Sequence, residues 1–195
     1  MHVFDVGADI GIFTLGAAQR VGNGRVYAFE PNHHRASIIQ RHIVLNRWQD
    51  RAEVVEAAVS DGEGGVPFYA TEWTTAGSLS RRNAEMLPHL QVAETTVESV
   101  SLDRFCERTQ VTPHVLKIDV EGAELLVLRG AVRLLRETDP IVFCEIHPAQ
   151  MLNCGSSLPQ LQTFLSALDY TIEPIGTPNR AGIFHGRLIR KRPGV

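Results

Sequence analysis

Asp5, Glu30, Asp61, Asp119, Glu145 and His147 each close a short apolar run of the kind that forms a strand. Carboxylates and an imidazole at such positions can accept a proton, hold a hydroxyl or, in an oxygen-rich set, bind a divalent cation. In an open parallel sheet the carboxyl ends of the strands share one edge, and ligands collect there where the strand order reverses. Residues far apart in sequence thus converge on one crevice if the chain builds such a sheet.

The first thirty residues say what the crevice binds. A β-prone run at residues 2–6 stops at Gly7, and a helical pattern opens near Ile10 with Phe13, Ala17, Ala18 and Val21 on one face. A strand turning through glycine into a helix lets backbone approach a ligand at the helix N-terminus. Glu30 ends the next strand, 19 residues after Gly11, where a carboxylate can accept both hydroxyls of a ribose. The turn lacks the G-x-G-x-x-G of dinucleotide sites and offers only Gly7 and Gly11, with Asp9 between them. Asp5 and Asp9 would repel a pyrophosphate. They suit a ligand carrying ammonium and sulfonium, such as S-adenosylmethionine, whose carboxylate can rest on free helix N–H groups.

The elements that must position these groups alternate strand and helix along most of the chain, which argues for an α/β domain with a parallel sheet. Asn32 is the expected cap of a helix over residues 32–46, and Glu53 to Val59 form a third strand ending at Ser60-Asp61-Gly62. Residues 62–100 break the rhythm. They read as a short β-hairpin and loop followed by a separate extended piece at 95–100, an insertion at the ligand end that is either an acceptor-binding lid or a surface arm. Ser101 caps a short helix to Arg108, and Val115 to Val120 form a strand. A leucine-rich helix broken at Gly130, a strand from Ile141 to His147 and a helix over Leu158 to Leu168 follow. Residues 170–175 and 183–190 pair as a closing antiparallel hairpin at the sheet edge.

Bulk properties fit one domain, 1–195. Hydrophobic residues are 44% and charged residues 21%, and a net charge of −3 gives no nucleic-acid signature. The cluster Arg187, Arg190, Lys191 and Arg192 reads as a solvated strand end. Cys106, Cys144 and Cys154 are odd in number and lack C-x-x-C spacing, so reduced thiols in a cytoplasmic protein are expected, with no membrane span. His33-His34 is expected to be solvent-exposed, and Trp48 and Trp73 to be packing residues. Oligomeric state is open.

Taken in order, Asp5-Val6-Gly7-Ala8 with Gly11, Phe29-Glu30-Pro31, Ala58-Val59-Ser60-Asp61, Leu116 to Glu124, and Glu145-Ile146-His147 resemble the FkbM-like methyltransferases, a branch of the class I S-adenosylmethionine-dependent enzymes. The resemblance implies a Rossmann-like α/β sandwich whose seven-stranded sheet has the order 3-2-1-4-5-7-6, with an antiparallel strand at its edge and a β-hairpin insertion. It implies methyl transfer to a hydroxyl of a small acceptor such as a sugar or polyketide-type product. It places Asp5, Gly7 and Gly11 on the methionine part of the donor, Glu30 on its ribose, Ala57 and Ala58 beside adenine, and Asp119 between donor and acceptor; Ala8 and Asp9 of the same turn are also expected to bind the donor. Position 9 is Asp where the family usually has Asn. Family members also normally have chain before the first strand that helps roof the donor pocket, whereas this sequence starts inside that strand.

Methyl transfer to oxygen makes His147 or Asp119 the expected base, with Glu145 orienting the acceptor or the imidazole. The alternative for His147 is a strand-end residue capping backbone. Lys117 is expected to face the helix layer and pair with a carboxylate. Asp119, Glu121, Glu145 and His147 also make a plausible ligand set for magnesium or manganese, but no metal is assigned. Two other functions compete: a nucleotide-dependent oxidoreductase, which the missing glycine fingerprint opposes, and a donor-binding module without turnover.

Overall fold

Val3–Val6 (β1) and Val26–Phe29 (β2) are buried at every position, as strands covered by helices on both faces must be. The computed structural model describes residues 1–71, 77–86 and 91–191, which excludes Trp73 and Arg192. After β1 come Ile12–Ala18 (α1), β2, His33–Leu45 (α2), Ala52–Val55 (β3), Ala58–Val59 (β4) and Gly64–Thr71 (β5). Arg81–Ala84 (α3), Val92–Val100 (β6), Leu102–Thr109 (α4), Val115–Ile118 (β7), Glu124–Arg129 (α5) and Val132–Thr138 (α6) follow. The chain finishes with Ile141–Ile146 (β8), Pro148–Asn153 (α7), Leu158–Ser166 (α8), Tyr170–Ile175 (β9) and Phe184–Arg190 (β10).

Seven of the strands form one sheet in the order β3-β2-β1-β7-β8-β10-β9. Counted among themselves in chain order they read 3-2-1-4-5-7-6; the labels differ only because β4, β5 and β6 build a second, three-stranded sheet. Pairing is parallel from β3 to β8, while β10 runs against both β8 and β9. The reversed strand is therefore one place in from the edge, and β9 is the edge. The order turns back between β1 and β7, so the crevice lies over their carboxyl ends.

Strand alternation sends Phe4, Val6, Leu116, Ile118, Val142 and Ile146 to one face, where α4, α5, α6, α7 and α8 cover them. Phe105 of α4 meets Phe4, Tyr27 and Phe29 edge-on, with ring centroids 4.9–5.4 Å apart. Such pairs contribute about 0.5–1.5 kcal/mol each beyond their buried area. On the other face Val3, Val26 and Ala28 pack against Ala18 of α1 and Ile39 and Ile43 of α2. That cover stops short of β7 and β8. Ile12 is 74% exposed, and Phe13, Ile141, Phe143 and Ile175 also stand well out of the core. Phe13, expected on the apolar stripe of its helix, instead borders a hollow of about 500 Å³ shared with Ile12, Phe143 and Ile175.

Two expectations about the middle of the chain change. The strand read as Glu53 to Val59 breaks after Val55, because Ala57 N–H turns back to Val55 O at 2.8 Å and Ala58 starts β4 in the other sheet. The piece at 95–100 is not separate: it belongs to β6, which pairs with β5 over eight positions from Gly64↔Ser99 to Thr71↔Val92. The long ribbon was hidden because its two strands, ending at Thr71 and starting at Val92, are too far apart in sequence for a tight hairpin turn to announce their pairing. Cap positions agree with the sequence, with Asn32 accepting from Arg35 N–H and Ser101 from Arg104 N–H. The three cysteines are free, and among the described residues no helix is long and apolar enough to cross a membrane.

Candidate functional site

β1 ends at Val6 and the chain must leave it without colliding with β7, its parallel neighbour. Gly7 solves this with φ +76°, where a Cβ would come 1.8 Å from the Asp119 carbonyl oxygen. Gly7 and Ala8 N–H groups both donate to Phe29 O at 3.1 Å, tying the turn to β2. Lys117 Nζ donates to Gly7 O at 2.9 Å, tying it to β7. Gly11, also left-handed at φ +88°, precedes α1 and sits against Ile39. A cleft of about 340 Å³ opens beside this turn, between the ends of β1, β2, β7 and β8 and the base of the small sheet.

Glu30 follows β2 and lies on the cleft wall, only 5% exposed. Its two carboxylate oxygens accept the N–H groups of Asp9 and Asn32, each at 2.9 Å. Burial nevertheless pushes its pKa up to about 7, partly opposed by the Asn32 hydrogen bond. Phe29, Ala57, Ala58 and Val59 supply the apolar part of the lining, and Phe68, Gly77, Ser78 and Leu79 close the cleft from the insertion. Ser78 Oγ and Asn83 Nδ2 both donate to Glu121 O, at 3.2 and 2.8 Å, so the insertion also braces the turn after β7.

The charges in the first turn are arranged differently from the sequence expectation. Asp5 is fully buried and does not border the cleft. It accepts a 2.6 Å hydrogen bond from Thr14 Oγ1 and pairs with Lys117 at 3.3 Å, its register partner on β7. Burial raises its pKa against the pull of Lys117 and Thr14. Lys117 thus does pair with a carboxylate, and with a second one, Asp119, also at 3.3 Å. Burial works to lower its pKa, but Asp5 and Asp119 outweigh that and hold it raised. Asp9 forms an ion pair with Arg35 of α2. Neither aspartate of the turn is therefore free to attract a cationic ligand.

A denser group of acids, of which Asp119 shares Lys117 with Asp5, lies deeper. Asp119, Glu121 and Glu145 all line the cleft, and His147 stands behind them, 2% exposed, at the N-cap position of α7, where its side chain makes no capping hydrogen bond. His147 Nδ1 is 2.7 Å from Oε1 of fully buried Glu124, and Nε2 lies 3.6 Å from Glu121, 3.9 Å from Asp119 and 3.9 Å from Glu145. Burial tends to lower the imidazole pKa, but the Glu124 hydrogen bond and the Glu121 and Asp119 charges push it up to about 9. Burial also raises Glu121, with His147 opposing.

The sequence-derived residues thus divide. Gly7, Asp9, Glu30, Ala57, Ala58, Asp119 and Glu145 border the cleft; Ala8 borders the hollow on the far side of the turn. Asp5 and Gly11 border neither and hold the turn in shape from behind. Asp61 is exposed in the bend after β4, away from the cleft. His33 and His34 are exposed, with His33 paired to Glu56, and Trp48 packs beside α2. Sequence reasoning gave no role to Arg35 or Glu124. The signal for Arg35 was its place in the first turn after the Asn32 cap, beside the strand-end acid; Glu124 belonged to a string already recognised.

A model of the methyltransferase FkbM domain matches residues 5–172. The hexuronic acid methyltransferase AglP of Haloferax volcanii is 28% identical over 150 residues, which is 74% of this chain and 55% of that protein. The chain therefore spans little more than half of that relative. A methyltransferase FkbM from Methylobacillus flagellatus superposes with a TM-score of 0.64 at 20% identity, over 95% of this chain and 43% of the other. SMU.1697c of Streptococcus mutans, solved in complex with SAH, superposes with a TM-score of 0.54 at 8% identity, over 96% of this chain and 86% of the other. These structural likenesses establish the fold.

Proposed function

Because the chain belongs to the FkbM methyltransferase domain family, we propose that it takes its methyl group from S-adenosylmethionine and transfers it to a hydroxyl oxygen of a small, sugar-like acceptor. The observation that carries this reading is one continuous cleft with Glu30 and an alanine-rich floor at one end and Asp119, Glu121 and Glu145 at the other. The residues fit the donor. Each Glu30 oxygen spends one lone pair on backbone and retains another for a ribose hydroxyl. Phe29, Ala57 and Ala58 offer a purine apolar surface, and the acids beyond Gly7 favour positive charge near them. The bound donor would supply an electrophilic methyl on a cationic sulfur.

The chain's own part is alignment and proton removal. Alignment of two bound reactants can contribute on the order of 7–11 kcal/mol. The acceptor oxygen gains a methyl and loses its proton, and a carboxylate must receive that proton. Asp119 is the candidate base, because His147 is held protonated through neutral pH by its acidic neighbours. Glu145 orients the acceptor, and Phe68, Ser78 and Leu79 of the insertion act as its lid. A sugar-type acceptor is supported by the AglP relative, whose own substrate is a hexuronic acid. The test is calorimetry with S-adenosylmethionine, followed by mass spectrometry of hydroxylated sugars and sugar acids for a gain of one methyl. Failure of the donor to bind, or binding that no substitution in the cleft weakens, refutes the proposal.

A further inference from the structure

We propose that Asp119, Glu145 and His147 form a divalent-cation site of the manganese or magnesium type at the acceptor end of the cleft. Each residue offers one ligand atom, and these atoms all lie within 4.8 Å of one another. Nε2 of His147 is 3.9 Å from Asp119 Oδ1 and 3.9 Å from Glu145 Oε1. Ligands about 2.1 Å from an octahedral ion stand between about 3 Å and about 4.2 Å apart, so small side-chain movements complete the set.

The imidazole is what separates this cluster from a patch of acids. His147 is buried, and its Nε2 has no hydrogen-bond partner among the described residues although it points at three carboxylates. Its other nitrogen is fixed by Glu124, fully buried on α5, whose Oε1 also accepts Gly122 N–H at 3.1 Å. A buried carboxylate gripping Nδ1 and aiming Nε2 outward is the arrangement that orients histidine toward a metal. Binding the cation displaces the proton that His147 otherwise carries; two carboxylates and the resulting neutral imidazole then balance a 2+ charge, and the mixture of oxygen with one nitrogen suits manganese. Glu121, 3.6 Å from Nε2, is left as a carboxylate beside the ion.

The site stands on geometry; its role rests on the methyl-transfer reading. There the cation would hold the acceptor through the hydroxyl to be methylated and lower that hydroxyl's pKa; with Asp119 committed to the cation, the proton would pass to Glu121 in its place. An acceptor with a second oxygen adjacent, a vicinal diol or an α-hydroxy acid, would chelate.

The probe is manganese alone, titrated into the full chain and followed by loss of the free-ion electron paramagnetic resonance signal. The expected result is saturable binding at one ion per chain, abolished in His147→Gln and weakened 10–100-fold in Glu124→Gln, which leaves the ligands in place. Selective paramagnetic broadening of the His147 ring resonances in the unaltered chain gives the same answer without any variant. No saturable binding, binding unchanged in a folded His147→Gln chain, or broadening elsewhere would overturn the site. Donor binding is measured in parallel with EDTA present. Donor bound and product formed with no manganese uptake removes the cation and keeps the methyl-transfer reading; manganese bound at His147 with no donor binding does the reverse.

Discussion

Replacing Gly7 by alanine should damage both stability and donor binding, and the size of the damage can be worked out. The added Cβ would sit 1.8 Å from the Asp119 carbonyl oxygen and 2.9 Å from its carbon. Carbon and oxygen ordinarily come no closer than about 3.3 Å. β1 and β7 must part by more than an ångström at the point where Asp119 N–H bonds Val6 O at 3.0 Å. The left-handed conformation costs alanine about 1–2 kcal/mol, and overpacking of this kind typically about 1–3 kcal/mol. Loss of the Asp119–Val6 hydrogen bond adds about 1 kcal/mol. A total of roughly 3–6 kcal/mol in a chain of this size lowers the melting temperature by roughly 10–20 °C. Differential scanning calorimetry measures this, with Gly16→Ala as control. Gly16 lies inside α1, and a Cβ added there would meet no atom within 4 Å. The same substitution there should stabilise by about 0.5–1 kcal/mol. If Gly7→Ala melts within about 2 °C of the unaltered chain, less than about 1 kcal/mol has been lost and the reasoning fails.

Glu30→Ala should weaken S-adenosylmethionine binding by about 1.5–3 kcal/mol, or roughly 10–150-fold, because a hydrogen-bonding carboxylate is lost; calorimetry reads it. Since the folded pKa of Glu30 is about 7 against an ordinary 4.5, donor affinity should rise between pH 6 and 8 in the unaltered chain more steeply than in Glu30→Gln. The sign for stability is opposite: the raised carboxyl favours the folded state fully below its unfolded pKa, and about 3 kcal/mol of that is lost as pH climbs through 7. Urea unfolding at a series of pH values tests this, and a flat difference between the two chains would contradict it. Lys117→Met should destabilise by about 3 kcal/mol at neutral pH by leaving Asp5 buried without its cation, and by less in acid, where Asp5 takes up a proton. An unchanged urea midpoint at neutral pH would show that the pair does not support the fold.

Much of the fold was legible because local chemistry and global topology agree. Asn32 and Ser101 cap their helices as their side chains suggest, and the 3-2-1-4-5-7-6 order follows from the recognised strings. What escaped depends on register. Asp5 looks like a ligand residue in sequence, and only its pairing opposite Lys117 shows it to be a buried support. Asp9 looks like a free acid until α2 brings Arg35 beside it. The partnership of Glu124 with His147 joins residues 23 positions apart on different elements, which no spacing rule reports. The break after Val55 was equally invisible, since Val54 to Val59 is a good β sequence throughout and only the second sheet takes its last part away.

That break has an evolutionary corollary. The backbone passes from one sheet to the other at Ala57, on the cleft floor, and the ribbon's base is clamped by Ser60, Ser99 and Gly62 through hydroxyl bonds of 2.7 and 3.0 Å. Adding two residues to each strand would lengthen the ribbon and keep Phe68 turned inward, whereas adding one would rotate it to the outside. On the proposed methyl-transfer reading, different acceptors would be accommodated in even steps, without altering the end of the cleft at Glu30 and Ala57.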